Sequence, residues 1–345
     1  FFSSRRRHTR CSGVSWARDV YKRQIRWVRS HVGHELIYLV YASVVIFDEA
    51  GRVLAQERYD FDWWSVPGGA MELREALPET ARREVREECG IDVALHGLVG
   101  VYSHPRFNLH YPNGDDVQQW TVCFWGEMAG GALRPDGAES LRLFFAEPEA
   151  ILARTHPAHA AMIRDALRVR AGEKPALEPV ESFPPLKPYY PILRRHVGQQ
   201  PIILPGATAI IEDDQGRVLM IHRTDEDCWT PPGGLSDLGE TTTATLVREV
   251  REETGLEVEP YAIVGLYSDP ALFYGAFPNG DQVHAVDVTM ACRVVGGTLM
   301  AEGNDDESRA VAFLPPEAAA ERGCMDWVGV VIRDYFDRDG WPHVR

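Results

Sequence analysis

No apolar run in this chain approaches the roughly 20 residues that a membrane helix needs, because charge or glycine interrupts every hydrophobic stretch. A helical membrane span is therefore excluded, and a soluble, cytoplasmic protein is expected. Cysteine is sparse, at six residues (Cys11, Cys89, Cys123, Cys228, Cys292, Cys324) with no CxxC pair and no small-domain framework. Neither zinc ligation nor a disulfide scaffold is expected from that usage, and a reducing cytosol is the simplest compartment. Positive charge is also short: 36 Lys and Arg stand against 51 Asp and Glu, a formal net charge of -15. That sign repels phosphate-rich polymers at long range, so a nucleic-acid surface is disfavoured. A small anionic substrate remains open if metal ions mediate its binding.

Methionine is absent until Met71. Phe1 to Gln24 carries six Arg and one Lys against one Asp, with serine clusters and no apolar period. Superficially this fits an organelle transit peptide. The string FFSSRRRHTRCSGVSWARDVYKRQ instead resembles translated sequencing adapter, so residues 1–24 are read as a non-native segment and a true start is expected to be lost. Without it, 29 Lys and Arg face 50 Asp and Glu, a net of -21.

What is present is a duplication. At 345 residues the chain exceeds one ordinary core, and a length prior suggests two domains. An offset of 165 relates Arg29-Ser30-His31-Val32-Gly33 to Arg194-Arg195-His196-Val197-Gly198, and Gly51-Arg52-Val53-Leu54 to Gly216-Arg217-Val218-Leu219. It also relates Pro67-Gly68-Gly69 to Pro232-Gly233-Gly234 and Gly100-Val101-Tyr102 to Gly265-Leu266-Tyr267. The register slips to 166 at Asn113-Gly114-Asp115 and Asn279-Gly280-Asp281, and to 168 at Glu139-Ser140 and Glu307-Ser308. Only a duplicated domain explains so many ordered matches.

Residues 171–192 hold six prolines and read as an extended, semi-rigid linker between one domain over 25–170 and another over 193–345. Within each copy, β-branched and aromatic runs at 39–47 and 207–211 read as strands. Ala-, Arg- and Glu-rich helices follow at 77–89 and 241–254, each ending at a glycine (Gly90, Gly255) where a left-handed cap is expected. Later strands are expected near 93–103, 117–127, 257–268 and 283–295, with closing helices near 158–170 and 325–338. That order implies an α/β (α+β type) fold, a mixed β-sheet sandwiched between α-helices in each copy.

The chemistry concentrates after the paired glycines. Five residues separate Gly69 from Glu75, and seven more separate Glu75 from Arg83-Glu84-Val85-Arg86-Glu87-Glu88-Cys89-Gly90-Ile91. The second copy repeats the spacing from Gly234 through Glu240 to Arg248-Glu249-Val250-Arg251-Glu252-Glu253-Thr254-Gly255-Leu256. On a helix, Glu84, Glu87 and Glu88 sit at i, i+3 and i+4, so three carboxylates converge on one face. Their repulsion is relieved by protonation or by a hard divalent cation with oxygen ligands, such as Mg2+ or Mn2+. Arg83 lies four residues before Glu87 and can orient it by an ion pair. A solvated acidic face is the bland reading of one isolated cluster, but the flanking glycines and the duplication argue against it.

Both segments resemble the Nudix box, G-x5-E-x7-R-E-U-x-E-E-x-G-U with U aliphatic, at every defined position. The resemblance implies two tandem Nudix folds that hydrolyse a diphosphate, a reaction that needs phosphate charge neutralised and a water deprotonated and aimed at phosphorus. It implies that Glu84, Glu87, Glu88, Glu249, Glu252 and Glu253 bind Mg2+ (or Mn2+) with the carbonyls of Gly68 and Gly233, and that Glu75 and Glu240 support them. Arg83 and Arg248 complete the sites. A glutamate on a later loop often supplies the general base or a further ligand in this family, and Glu139 and Glu307 are the expected positions.

Trp64 and Trp229, five residues before the paired glycines end, are candidates to stack a base, worth ~1–3 kcal/mol when it forms; a core tryptophan is about equally compatible. Asp115 and Asp281 follow Asn-Gly, a strong tight-turn signal, and are weaker candidates for substrate contact. Copy one carries Leu73-Arg74 where such sequences usually have glycine before the glutamate, and copy two opens its helix with Thr241-Thr242-Thr243, poor in helix propensity. Neither departure touches a metal-binding position, so two competent sites are expected, in halves that pair as an internal pseudo-dimer. The leading reading is Mg2+-dependent cleavage of a small nucleotide substrate: a nucleoside diphosphate linked to another group, such as ADP-ribose, a nucleotide sugar or an oxidised nucleotide. The rival is a Nudix module that senses such a ligand without cleaving it, which expects an eroded box and an attached DNA-binding helix-turn-helix. A messenger-RNA decapping type would want a basic channel, against the net charge.

Overall fold

The computed structural model describes residues 25–345 apart from 59–61, 112, 138–139, 225–226, 278 and 304–307. The first 24 residues, and with them the adapter reading, lie outside the described residues.

A short helix α1 (25–32) leads into β1 (Ile37–Phe47), β2 (Val53–Arg58), β3 (Trp64–Ser65) and β4 (Gly68–Ala70). Then come α2 (Leu77–Cys89), β5 (Ile91–Tyr102), β6 (Leu109–His110), β7 (Asp116–Gly131), β8 (Ser140–Ala146), α3 (Pro148–Leu152) and α4 (Pro157–Arg170). The segment between the halves contributes β9 (Ser182–Lys187) and the start of α5 (Tyr189–Val197). Half two follows with β10 (Ile202–Ile211), β11 (Val218–Arg223), β12 (Trp229–Thr230), β13 (Gly233–Leu235) and β14 (Leu238–Glu240). It continues through α6 (Thr242–Thr254), β15 (Leu256–Tyr267), α7 (Pro270–Phe273), β16 (Tyr274–Ala276), β17 (Gln282–Gly297), β18 (Ser308–Leu314), α8 (Pro316–Glu321), α9 (Asp326–Phe336) and β19 (His343–Val344).

The sheet is mixed in both halves. β1 runs parallel to β7 and antiparallel to β4, while β5 lies antiparallel along the other side of β7. β10, β13, β15 and β17 repeat that arrangement. β1 reads IYLVYASVVIF, apolar on both faces, as a strand covered on both sides should. The period of two divides it: Val44 and Ile46 pack with Leu77, Ala81 and Val85 of α2, while Val45 and Phe47 pack with Met162, Ile163 and Ala166 of α4. Each half is therefore the expected sheet between helices.

Gly90 and Gly255 end α2 and α6 with φ of 72° and 74°, the left-handed caps that the sequence predicts. The threonines that weaken the start of α6 are used otherwise: Thr241 caps the helix by accepting from the Ala244 amide at 3.2 Å, and Thr241 and Thr243 each donate to Pro179 O at 2.8 Å. Capping and tertiary bonds outweigh propensity there.

The proline-rich segment is more than spacer. β9 pairs antiparallel with β14 of half two. The Glu178 carboxylate accepts from the amides of Ser103 and His104 at 2.7 and 2.9 Å. One apolar core also crosses the halves, joining Ile37, Tyr38 and Val40 to Tyr189, Leu193, Ile202 and Leu204.

The cysteine reading needs correction: Cys228 and Cys324 form a disulfide with a Cα–Cα distance of 4.7 Å. Their separation of 96 residues leaves no local signal. They meet because Trp229 N–H donates to Arg322 O and Cys324 N–H donates to Trp229 O, at 3.0 and 3.1 Å, drawing the two segments together. The reducing-compartment expectation thereby loses its support from cysteine usage. Among the described residues, no helix is long and apolar enough to cross a membrane.

Candidate active site

The Gly-Gly turn and the helix that follows it are fitted to each other. β4 lies against β1, so a Cβ on Gly68 would stand 2.5 Å from Ala42 O, and one on Gly69 would strike the carboxyl of Glu84. In half two a Cβ on Gly234 would come within 2.5 Å of the Glu249 carboxyl. Glycine is required because the carboxyl of Glu84, or of Glu249, lies directly against the turn. The last glutamate of the helix grips it from the other side, since the amides of Gly68 and Gly233 donate to Glu88 and Glu253 at 3.0 and 2.9 Å.

Arginine ties the turn to the helix. Arg83 Nε and Nη2 donate to the two oxygens of Glu75 at 2.7 and 2.9 Å, Nη1 to Glu84 at 2.6 Å, and Nη2 to Ala70 O at 3.0 Å. Arg248 holds Glu240 at 2.7 and 3.0 Å and Glu249 at 2.8 Å. The ion pair to the i+4 glutamate is the lesser contact, 3.8 Å from Arg83 to Glu87 and 3.1 Å from Arg248 to Glu252. Glu75 and Glu240 are thus the seats of a bidentate arginine fork, completed by Thr80 and Thr245 hydroxyls at 2.8 and 3.0 Å.

Burial, with repulsion from Glu87 and Glu75, pushes the Glu84 carboxyl up to about 7 against the pull of Arg83. Glu249 is raised to about 7 for the same reasons, with Glu252 and Glu240 as its like-charged neighbours. Half one adds Glu72, whose Oε1 is buried without a hydrogen-bond partner and whose carboxyl is raised by burial. Its position in copy two is Asp237, which accepts from the Tyr189 amide at 3.0 Å. Glu72 escaped sequence reading because nothing but its three-residue spacing before Glu75 marks it.

Among the described residues no three His, Cys, Asp or Glu side chains are gathered at ligating distance. The donor chemistry nevertheless fits a hard cation: carboxylates with raised affinity for positive charge converge on a glycine turn, with an orphaned carboxylate oxygen beside them.

A cleft opens beside Gly68 in half one, lined by Tyr41, Arg58, Trp63, Tyr111, Thr121 and His159 among others. Arg58 also reaches Glu88 at 3.5 Å. Two buried polar atoms in this cleft, Thr121 Oγ1 and His159 Nδ1, have no hydrogen-bond partner. Burial holds His159 neutral, pushed down to about 3.

Trp63 stands in this cleft and meets the rings of His156 and His159 at 5.3 and 5.2 Å. Its neighbour Trp64, the residue picked from the sequence, packs edge-on against Phe144 at 4.9 Å with Arg154 over its other face. Trp63 immediately precedes β3, and Trp63 and Ser65 line the cleft while Trp64 between them does not, as alternation along an extended chain requires. Trp229 stacks on His222 at 4.8 Å. In half two the places of Trp63 and His156 are taken by Cys228 and Cys324, and that of Thr121 by Asp287, which accepts from Thr208 and Thr289 at 2.8 Å.

Asp115 and Asp281 serve their turns. Each accepts from the Asn side chain two residues before, and Arg29 and Arg194 approach them at 3.5 and 3.3 Å. Glu139 and Glu307 lie outside the described residues.

The NUDIX domain family profile matches residues 38–166 and again 203–333. Among individual proteins, the chain is 33% identical over 112 residues to a putative 8-oxo-dGTP diphosphatase of Bacillus subtilis, covering 32% of this chain and 68% of that one. It is 32% identical over 140 residues to a MutT-like protein of Streptomyces ambofaciens, covering 41% and 80%. It is 36% identical over 107 residues to an ADP-ribose pyrophosphatase of Methanocaldococcus jannaschii, covering 30% and 57%.

Proposed function

The chain belongs to the Nudix hydrolases, with two NUDIX domains in tandem, and from that premise we propose that both halves cleave the pyrophosphate bond of a nucleoside diphosphate linked to another group. One observation carries the reading: the same fork, Glu75–Arg83–Glu84 and Glu240–Arg248–Glu249, is built against a glycine turn in both halves. A structural or regulatory copy has no need of that burial of charge, whose desolvation costs stability and is retained where function requires it.

Glu84, Glu87 and Glu88, and Glu249, Glu252 and Glu253, with the carbonyls of Gly68 and Gly233, are the residues that would hold Mg2+ or Mn2+. Such a cation, when bound, supplies charge neutralisation at the phosphates and an acidified water. The protein's own part is positional. Arg83 and Arg248 keep Glu84 and Glu249 turned to the glycine turn, and the fork to Glu75 and Glu240 prevents the arginine from competing for phosphate. Glu139 and Glu307 are proposed as the base or a further ligand.

In half one the base of the substrate is proposed to lie by Trp63 and Tyr111, with Thr121 and His159 as hydrogen-bonding partners for its edge. The two orphaned polar atoms support this, since a buried group without a partner costs about 1–3 kcal/mol unless a ligand satisfies it. The names of the relatives support an oxidised nucleotide or ADP-ribose as the first compounds to try. The reading takes 25–170 and 193–345 as the two domains, joined by 171–192 and packed as an internal pseudo-dimer. The shared core and the pairing of β9 with β14 support it.

The test is formation of the nucleoside monophosphate and its phosphorylated co-product from a panel of nucleoside-diphosphate compounds with Mg2+, comparing residues 25–345 with Glu87→Gln, Glu252→Gln and the double variant. Two working sites require partial activity in each single variant and none in the double. Binding of a ligand without cleavage, with either Mg2+ or Mn2+, would sink the hydrolase reading of the sites.

A further inference from the structure

Each half reaches across to the turn that carries the other half's fork. In half two, the Gly239 amide donates to Gln118 Oε1 at 2.9 Å, Gln118 Nε2 donates to Glu240 O at 3.0 Å, and the Thr242 amide donates to Ser103 Oγ at 2.8 Å. Gln118 and Ser103 belong to half one. In half one, the Arg74 amide donates to His284 Nδ1 at 3.1 Å, and the Leu77 amide donates to Ser268 Oγ at 2.9 Å. His284 and Ser268 belong to half two, at the places of Gln118 and Ser103.

The duplicated residues thus exchange equivalent bonds, as a two-fold axis would require. Gln118 and His284 are fully buried, and each is anchored to its own half by a donated bond, to Ser103 O and Ser268 O, both at 3.0 Å. Because His284 Nε2 faces a carbonyl, it carries the proton and leaves Nδ1 to accept.

The amides of Thr242 and Leu77 are first-turn donors of α6 and α2, which have no partner within their helices. Both ends of each turn are therefore fixed from the opposite half. The turn presents Glu240 or Glu75 to its arginine, and the arginine holds Glu249 or Glu84. We infer that Gln118 is a positioning residue for the second site and His284 for the first, so that neither site is complete in its own half. The inference rests on the proposed reading of the two sites as hydrolytic. The clamp is unequal, since Gln118 makes two bonds to its turn and His284 makes one.

The test uses the whole chain and reads one site at a time. In a Glu87→Gln background, where only the second site works, Gln118→Met should lower kcat about 10- to 100-fold, as loss of an outer partner typically does, with KM nearly unchanged. In a Glu252→Gln background the same substitution should leave the first site within about twofold. His284→Leu should show the reverse pattern. Gln118→His and His284→Gln, each installing the other half's acceptor, should restore most of the loss.

Amide exchange read by mass spectrometry gives a second readout: Gln118→Met should speed exchange in peptides spanning 236–246 and spare those spanning 71–81. If Gln118→Met does not fold, Gln118→Asn, too short to reach the turn, is read in its place. Loss falling on a variant's own half, on both sites alike or on neither would overturn the inference. If the two single-site backgrounds have no activity to divide, the hydrolytic reading fails, and the exchange pattern alone decides whether the clamp crosses the halves.

Discussion

The carboxyl of Glu84 occupies the space that a side chain on Gly69 would need. A methyl group at residue 69 must displace either the glutamate or the turn, and the turn is pinned to β1 by pairing of Gly69 with Ala42. The glutamate is the part that moves. Gly69→Ala should therefore cost the first site about 100-fold or more in kcat while lowering stability by only about 1–3 kcal/mol, the ordinary range for overpacking. Steady-state kinetics in a Glu252→Gln background, beside urea denaturation, separates the two. Full activity in Gly69→Ala would show that Glu84 does not work from this position.

Arg83 makes four directed bonds from one planar group, two of them parallel to Glu75. Lysine keeps the charge but cannot make the fork. Arg83→Lys should lower kcat at the first site by at least about tenfold, and Arg248→Lys should do the same at the second. Near-normal rates in both would reduce the arginine to a point charge.

The raised carboxyls of Glu84 and Glu249 have a consequence for stability. Their ordinary value is 4.5 and their folded value about 7, so the native state binds more protons than the unfolded chain between those limits. Stability contributed by the protonated forms is present below pH ~4.5 and is lost as pH rises to ~7, at most roughly 3 kcal/mol for each group. In EDTA, the melting temperature should fall from pH 5 to pH 7.5, and saturating Mn2+ should raise it most at the upper end, because the cation takes the carboxylate form. Glu84→Gln with Glu249→Gln should flatten both dependences. A flat profile in the parent chain would contradict the burial assigned to these groups.

Much of this architecture was legible because it is local. The helix over 77–89 was readable from its Ala, Arg and Glu run, and its end from Gly90, since cap and period lie within one turn. The convergence of Glu84, Glu87 and Glu88 follows from helical spacing alone. What stayed hidden depends on residues far apart in the chain. Gln118 meets Gly239 across 121 positions and Cys228 meets Cys324 across 96, and no spacing rule marks either pair. That Trp63 rather than Trp64 lines the cleft depends on how the chain enters β3, where Trp63 and Ser65 flank Trp64, and so short a strand has no period to read. The proline count of 171–192 described a stiff chain but not β14, the edge that β9 covers.

That cover explains why the two copies differ before their fork glutamates. Gly239 has φ 101°, and a Cβ there would lie 2.9 Å from Phe183 O of β9, so half two has no room for a side chain. Half one has Arg74 at this place, with φ 65°, alone among the described non-glycine residues in having positive φ. Its guanidinium lies 4.6 Å from the centroid of the half-buried Tyr274 ring, a contact worth about 0.5–1 kcal/mol. The left-handed backbone costs a residue with Cβ roughly 1–2 kcal/mol, part of which glycine returns through its freer unfolded chain. Arg74→Gly should accordingly be close to neutral, and Arg74→Ala, which keeps the strain and loses the ring contact, should be less stable than Arg74→Gly by about 1 kcal/mol. Gly239→Ala adds a backbone clash to the same strain and should cost about 2–3 kcal/mol. Urea denaturation of the three variants checks the order; Arg74→Ala matching or exceeding Arg74→Gly would mean that residue 74 is not held left-handed.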